Sequence, residues 1–355
     1  MDKLLNKLLL CDGVSGNEEN ISKIIIESFS KFCDNTETDN LGNVIGRVSI
    51  NNSSCKEEIK RKKIMLVAHM DEVGMLVKHI SEDGFIYFIK IGGINDSVLP
   101  GQLVEIINRD NKHITGIIGT KSPHMMNESD SKKSVKYEDM FIDIGINSKN
   151  EVLKIINIGD PIIFKSNAGI LNTDLYYGKS VDNRIGCYIL IKILEELALN
   201  KNLNTDIYVC ASSQEEVGLK GGKTLAFRIN PDFAIIIDTT ISGDIPGIEA
   251  KVSSIKLGKG VAITIMEAAG RGTIIPKKMR NLMFDVAEKN KIDYQIDLFD
   301  GGVTDGALIY TSNVGIPTIV LSIPTRYLHS PTAVFSIKDV NSTIKLAIKM
   351  IEKIS

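Results

Sequence analysis

Ile64-Met65-Leu66-Val67-Ala68-His69-Met70-Asp71-Glu72-Val73-Gly74 is the stretch that decides how this chain folds. Five apolar residues in succession, without polar alternation, read as a strand buried on both faces, and such strands belong to sheets covered by helices. His69 and Asp71 follow at its carboxyl end, where open α/β sheets gather functional groups. Two residues apart in extended chain, they project to the same side. His69 can then offer a neutral imidazole to a divalent metal, with Asp71 orienting the ring. A surface His-x-Asp at a strand end accounts for the same residues without function.

The rhythm around this stretch divides the chain. Before it, Ser15-Gly16-Asn17-Glu18 reads as a capping box leading into the helical stripe Ile21, Ile24, Ile25, Phe29 and Phe32. From about Val73 to about Phe164 the texture is short apolar runs (74–80, 85–91, 103–107, 114–118, 140–144, 161–164) broken by Gly, Asp, Asn and Pro. That is the pattern of a small β-barrel or sandwich, with residues 121–137 as an exposed loop. After Asp182 the α/β alternation returns: helix 184–199, strand 207–211, a helix after Gly222, strand 233–237, helix 277–289, strands 294–298 and 318–321, and a last helix 337–354. The expectation is an α/β domain (1–72 and 166–355) interrupted by an inserted β domain (73–165).

At 355 residues the chain is long enough for about two domains of roughly 150 residues each. With 42 Lys and Arg against 44 Asp and Glu, the net charge of −2 excludes a strongly basic nucleic-acid binder and provides no membrane-steering charge. A 43% apolar content excludes disorder. Five cysteines, an odd number without C-x-x-C, suit a reducing cytoplasm and neither a disulfide framework nor a zinc knot. No apolar run is long enough to span a membrane.

Other segments repeat the His69 placement. Gln214-Glu215-Glu216 follows strand 207–211, Asp238 ends the run 233–237, Asp182 precedes a long helix, and His329 sits in a loop after a strand. Each has an ordinary explanation: an acidic helix start, a loop cap, an N-cap, a solvent-exposed imidazole. Taken together, His69, Asp182, Glu216, Asp238 and His329 would form a two-metal site if one carboxylate bridges, leaving Glu215 and Asp71 for base and orienting roles. Mixed N and O donors without thiolate suit zinc, cobalt or manganese. Gly178-Lys179-Ser180 and Gly222-Lys223-Thr224 end like phosphate loops, but Thr173 and Val217 stand where the first glycine is required. There is no dinucleotide fingerprint and no G-x-S-x-G elbow.

The segments Ala68–Gly74, Ser180–Gly186, Gln214–Gly218, Ile237–Thr239 and Arg326–Pro331, with Gly13–Glu18, Gly243–Gly247 and Leu257–Gly260 in support, resemble the M42 family of metallo-aminopeptidases in family order over nearly the whole chain. The resemblance implies a zinc-peptidase-like mixed sheet sandwiched by helices, with an inserted small β-barrel that makes many oligomer contacts. It implies two divalent metal ions per subunit bridged by Asp182, one held further by His69 and Asp238, the other by Glu216 and His329. Glu215 would be the general base and Asp71 the orienter of His69. It further implies peptide substrates cleaved at the N-terminal residue, a homo-oligomer between dimer and dodecamer, and a side-chain pocket formed by loops around 245–247 and 301–306. The family's Thr-Asp-Ala-Gly reads Thr304-Asp305-Gly306-Ala307 here, with Asp305 kept. Two competing readings are a metal-independent endoglucanase, which needs two carboxylates flanking a sugar bond, and a non-catalytic assembly protein that has kept the fold.

Overall fold

The computed structural model describes residues 1–50, 61–122, 135–199 and 203–355. In chain order the elements are α1 (Lys3–Leu10), α2 (Glu19–Phe29), β1 (Asn35–Thr38), β2 (Val44–Ile50), β3 (Lys62–His69), β4 (Gly74–Ile80), β5 (Ile86–Ile91), β6 (Leu103–Ile107), β7 (His113–Gly119), β8 (Phe141–Asp143), α3 (Lys149–Val152) and β9 (Pro161–Phe164). There follow β10 (Ala168–Asn172), β11 (Leu175–Gly178), α4 (Val181–Leu199), β12 (Thr205–Ser212), α5 (Lys220–Ile229), β13 (Phe233–Ile241), β14 (Val261–Met266), α6 (Lys277–Lys289), β15 (Tyr294–Leu298), α7 (Gly306–Tyr310), β16 (Thr318–Arg326), β17 (Ala333–Ser336) and α8 (Ile337–Ile354).

Eleven strands form one mixed sheet in the order β1-β2-β12-β3-β13-β16-β17-β11-β10, with β14 and β15 branching from β16. Its centre, β12-β3-β13-β16, is parallel, so these strands deliver their carboxyl ends to one edge. The run 64–68 is buried on both faces. Ile64, Leu66 and Ala68 pack with α1, α2, α4, α6 and α8, whereas Met65 and Val67 pack with Leu225, Ala226 and Ile229 of α5 and Ile309 of α7. Helix α4 lies close enough to the sheet that a Cβ at Gly186 would come within 2.8 Å of the Ala68 methyl and 2.3 Å of Asn183 Oδ1. Any larger residue there would push the helix off β3.

Between β3 and β10 the chain closes a six-stranded barrel, β4-β5-β8-β7-β6-β9, in which every pairing is antiparallel. Its core is its own, built around Met75, Ile86, Val104, Ile142 and Ile162. The fold is therefore the expected α/β sheet with a small β-barrel. Of the segment expected as a loop, residues 123–134 lie outside the described residues. Tyr137 belongs to a short 3-10 turn and takes the Lys90 ammonium over its ring at 4.6 Å.

One local expectation is corrected, and one ordinary alternative fails. The capping box does not form: α2 begins at Glu19 without a side-chain cap. Ser15 Oγ instead donates to Asp71 Oδ2 at 2.6 Å, and Glu18 Oε1 accepts from the backbone N–H of Gly16 and Gln214. A tertiary acceptor has displaced the local one. Nor does Asp182 cap α4. Asp182 and Asn183 have non-helical backbones, the peptide between them is cis, and Asn183 Oδ1 accepts the Gly186 N–H at 2.9 Å. That leaves the Asp182 carboxylate free for other partners.

One ionic cluster ties the N-terminal segment to the sheet. Lys179 and Arg184 are fully buried around Glu72. Lys179 Nζ donates to both Glu72 oxygens at 2.7 and 2.8 Å and to the Cys11 carbonyl at 3.0 Å. Arg184 reaches Glu72 at 3.3 Å and the carbonyls of Leu8 and Cys11 at 3.2 and 3.0 Å. Removing one member of such a set leaves a buried charge uncompensated, at a cost of about 3–5 kcal/mol. Glu72→Ala is therefore expected to lower unfolding free energy by about that amount, read as a lower denaturant midpoint, whereas Glu82→Ala at the exposed end of its pair with Lys149 leaves the midpoint almost unchanged.

Candidate active site

The carboxyl edge of the parallel strands carries the predicted residues. His69 ends β3, Asp238 lies in β13, Glu215 and Glu216 follow β12, Asp182 opens α4, and His329 follows β16. All five expected ligand positions converge. Asp182 divides its two oxygens between the imidazoles: Oδ1 lies 3.1 Å from His69 Nε2 and Oδ2 lies 3.3 Å from His329 Nε2. Asp238 Oδ1 is 3.6 Å from His69 Nε2, and Glu216 Oε2 is 3.3 Å from His329 Nε2. His69, Asp182 and Asp238 thus form one group of potential donors and Asp182, Glu216 and His329 another, each with its donor atoms within 4.8 Å of one another.

Asp71 underlies both groups. It is fully buried and accepts from Ser15 Oγ at 2.6 Å, from the Glu215 N–H at 3.0 Å and from the Glu216 N–H at 3.2 Å. Its Oδ1 also stands 3.4 Å from His69 Nδ1. Glu215 points inward, with Oε2 4.0 Å from His69 Nε2.

The loops around these groups adopt costly backbones. Ser180, Gln214, Leu219, Tyr327 and His329 all have φ between +54° and +62°. Such conformations cost roughly 1–3 kcal/mol each in non-glycine residues and persist where surrounding contacts fix them. Arg326 supplies one such contact, gripping Asp244 through Nε at 2.9 Å and Nη2 at 2.6 Å just before the His329 turn. The segments Gly243–Gly247 and Arg326–Pro331 are thereby joined.

The electrostatics report an excess of buried negative charge. Burial raises the Glu215 carboxyl well above its usual range, opposed by His69 and reinforced by Asp238, Asp305 and Glu216. Burial likewise raises Glu216 and Asp238, each opposed by its neighbouring imidazole. Asp182 resists burial and is held well below the ordinary range by its hydrogen bonds to His329 and His69. Against burial, the surrounding carboxylates lift His329 to about 11 and His69 well above its normal value. Glu216 Oε1 is buried without a hydrogen-bond partner. No lysine or arginine lines the cavity among the described residues. Three carboxylates, one of them with an orphaned oxygen, and two imidazoles fit hard or borderline divalent cations.

A cavity of about 490 Å³ opens from these residues between β13, β14, β16 and the loop Gly302-Val303-Thr304. None of residues 245–247 lines it. The expected side-chain pocket is therefore met at Gly302, Val303 and Thr304 and not at residues 245–247. Gly93 escaped the sequence reading, and Asp305 was seen there only as a kept motif residue without a role. Gly93, from the loop after β5, meets the site so closely that a Cβ there would lie 2.9 Å from His329 Nδ1; the Gly92-Gly93 pair was the available signal. Asp305 is buried at the start of α7, with Oδ2 accepting from Ser212 Oγ at 2.5 Å and Oδ1 from the Gly222 N–H at 3.2 Å. It brackets the loop that carries Glu215 and Glu216, and burial raises its carboxyl to about 7.

A family profile described as M42 glutamyl aminopeptidase matches residues 47–346. A putative aminopeptidase of Acetivibrio thermocellus is 37% identical over 351 residues, covering 99% of this chain and 98% of its own. An aminopeptidase from the archaeon Desulfurococcus kamchatkensis has the same architecture at a TM-score of 0.92 and 35% identity, with 99% of this chain and 94% of that one covered. A TET1 peptidase of Pyrococcus horikoshii, described as able to assemble into a tetrahedron or a large octahedral shell, matches at a TM-score of 0.86 and 31% identity over 98% of both chains. With the profile spanning most of the sequence and these relatives matching it almost end to end, the chain belongs to the M42 family of aminopeptidases, hydrolases of the peptide bond.

Proposed function

We propose that the chain is a co-catalytic dinuclear metal aminopeptidase that removes the N-terminal residue of peptides. The observation that carries this reading is the division of Asp182 between two imidazoles, with a further carboxylate beside each. One cation is assigned to His69, Asp182 and Asp238, and the other to Asp182, Glu216 and His329. Zinc and cobalt suit these nitrogen and oxygen donors, and manganese is the next candidate. When bound, such ions polarise a carbonyl and lower the pKa of water towards about 7.

The remaining steps belong to the chain. Glu215, buried at the inner wall of the cavity, takes the proton from the attacking water and returns it to the leaving amine. Asp71 fixes the His69 ring and, through two backbone N–H groups, the loop carrying Glu215 and Glu216. The carboxylates facing the cavity attract the substrate's free ammonium, which favours a chain end over an internal peptide bond. The endoglucanase alternative gains nothing from two imidazoles sharing a carboxylate, and an assembly protein has no use for a buried, uncompensated donor set.

The barrel is assigned to self-association, as residues 73–165. It exposes Ile89, Leu103 and Ile117, apolar side chains suited to burial against another copy. Among the described residues no helix is long and apolar enough to cross a membrane. The four described cysteines are free thiols, which suits a reducing compartment such as the cytoplasm.

Glu215→Gln should retain bound metal and lose about 10²–10⁴-fold in kcat on aminoacyl anilides; near wild-type turnover would refute the base assignment. Elemental analysis of the reconstituted protein should find about two divalent ions per chain, and Asp182→Asn should bring this below one while circular dichroism stays unchanged. Light scattering should give a mass several times that of one chain, and a monomer would remove the role assigned to the barrel.

A further inference from the structure

Beyond the two imidazoles, the cavity continues into a polar recess built by four neighbouring strands. Thr240 of β13, Thr264 of β14, Asp297 of β15 and Ser322 of β16 all line it. Asp297 is only 6% exposed, and its Oδ2 accepts from Thr240 Oγ1 at 2.8 Å and Thr264 Oγ1 at 3.0 Å. Thr264 Oγ1 in turn meets Ser322 Oγ at 2.8 Å. Hydroxyls are neutral donors, so this carboxylate is solvated by dipoles, and among the described residues no lysine or arginine lines the cavity to pair with it. A second carboxylate in the same wall, Glu267, is already committed. Its Oε1 accepts from Thr304 Oγ1 at 2.7 Å and Oε2 from the Thr273 N–H at 3.0 Å, which fixes the 302–304 loop. It adds negative potential to the recess without needing a ligand.

The rest of the cavity wall has a different character. Leu219, Ile241, Phe299, Val303 and Leu328 line the same cavity. A cavity that joins apolar walls to a buried carboxylate matches a side chain with a methylene stem and a cationic head, which keeps its alkyl part on apolar surface and its charge at the polar end. A neutral aliphatic side chain would strip the remaining water from Asp297 and return no hydrogen bond, and an acidic one would add like-charge repulsion.

We infer that the recess is the specificity pocket for the N-terminal residue and that Asp297 selects a basic side chain, lysyl or arginyl, by pairing with its cationic end. The assignment rests on the aminopeptidase reading and deepens it. Asp297 touches substrate and selects among side chains, whereas the bond-breaking groups lie elsewhere in the cavity.

Kinetics on the purified enzyme, reconstituted with zinc or cobalt, would use the Lys, Arg, Leu and Glu anilides. The expected wild-type order places Lys and Arg above Leu and Glu in kcat/KM by about tenfold or more. Asp297→Asn keeps the side-chain volume and both threonine hydrogen bonds, and should lower the Lys-to-Leu ratio of kcat/KM by about 30-fold, carried mainly by KM. Thr264→Arg, which supplies an internal guanidinium to Asp297, should lower the same ratio by a second route. A wild-type preference for Leu or Glu, or an unchanged ratio in Asp297→Asn, overturns the pocket assignment while leaving the aminopeptidase reading intact. An enzyme inert towards all four anilides overturns that reading and the pocket with it.

Discussion

A fully buried carboxylate, Asp71, holds the active-site region together. Its oxygens accept from a hydroxyl of the N-terminal segment and from two successive backbone N–H groups after β12, and one of them stands 3.4 Å from the imidazole at the end of β3. Those partners come from three separate stretches of chain, and each brings a piece of the site with it. A carboxylate in this setting is stable only because its partners are fixed. They are fixed because β3 and β12 are adjacent parallel strands that end together, His69 opposite Ser212. Sheet register therefore becomes site geometry without any flexible intermediary.

Behind Asp71 stands a second buried charge system, Glu72 with Lys179 and Arg184. The two carboxylates are sequence neighbours that face opposite tasks, as alternation along extended chain requires. Asp71 looks towards the imidazoles, whereas Glu72 looks towards the helix start and the N-terminal carbonyls. Lys179 and Arg184 flank Asp182 in sequence, so the ionic cluster clamps the peptide segment that presents Asp182. Burying two cations beside one carboxylate and several carbonyls is a poor route to stability in itself. Its result is a fixed position for the one carboxylate that both imidazoles share.

The site is also where local preferences are overridden. Left-handed backbones at Ser180, Gln214, Leu219, Tyr327 and His329 oppose the ordinary choices of those residues. The negative charge collected in the cavity opposes the usual rule that buried charges are paired. Consistency between local and global preference holds through the sheet and helices and fails at the loops that meet the cavity, as expected where function competes with stability. The barrel takes part in this competition, since the loop carrying Gly93 closes over His329.

Continuous apolar runs by themselves determined the central strands β3, β12, β13 and β16, because a stretch buried on both faces leaves little room for another reading. The positions of His69, Glu215, Glu216, Asp238 and His329 after such runs or at their ends likewise pointed to one edge of a sheet. Short, weakly apolar strands such as β10, β11 and β17 carried no comparable signal, since their pairing depends on neighbours far away in the chain. Local sequence chemistry misled at Ser15, where capping was the best contact available within a few residues and a tertiary partner offered a stronger one. Asp297, the role of Asp305 and the Lys179–Glu72–Arg184 cluster became legible only in three dimensions. A charged side chain in isolation reads as solvated surface, and only tertiary packing decides which charges are buried and what they face: the threonines of β13 and β14 for Asp297, Ser212 and the Gly222 N–H for Asp305, and the N-terminal carbonyls for the cluster.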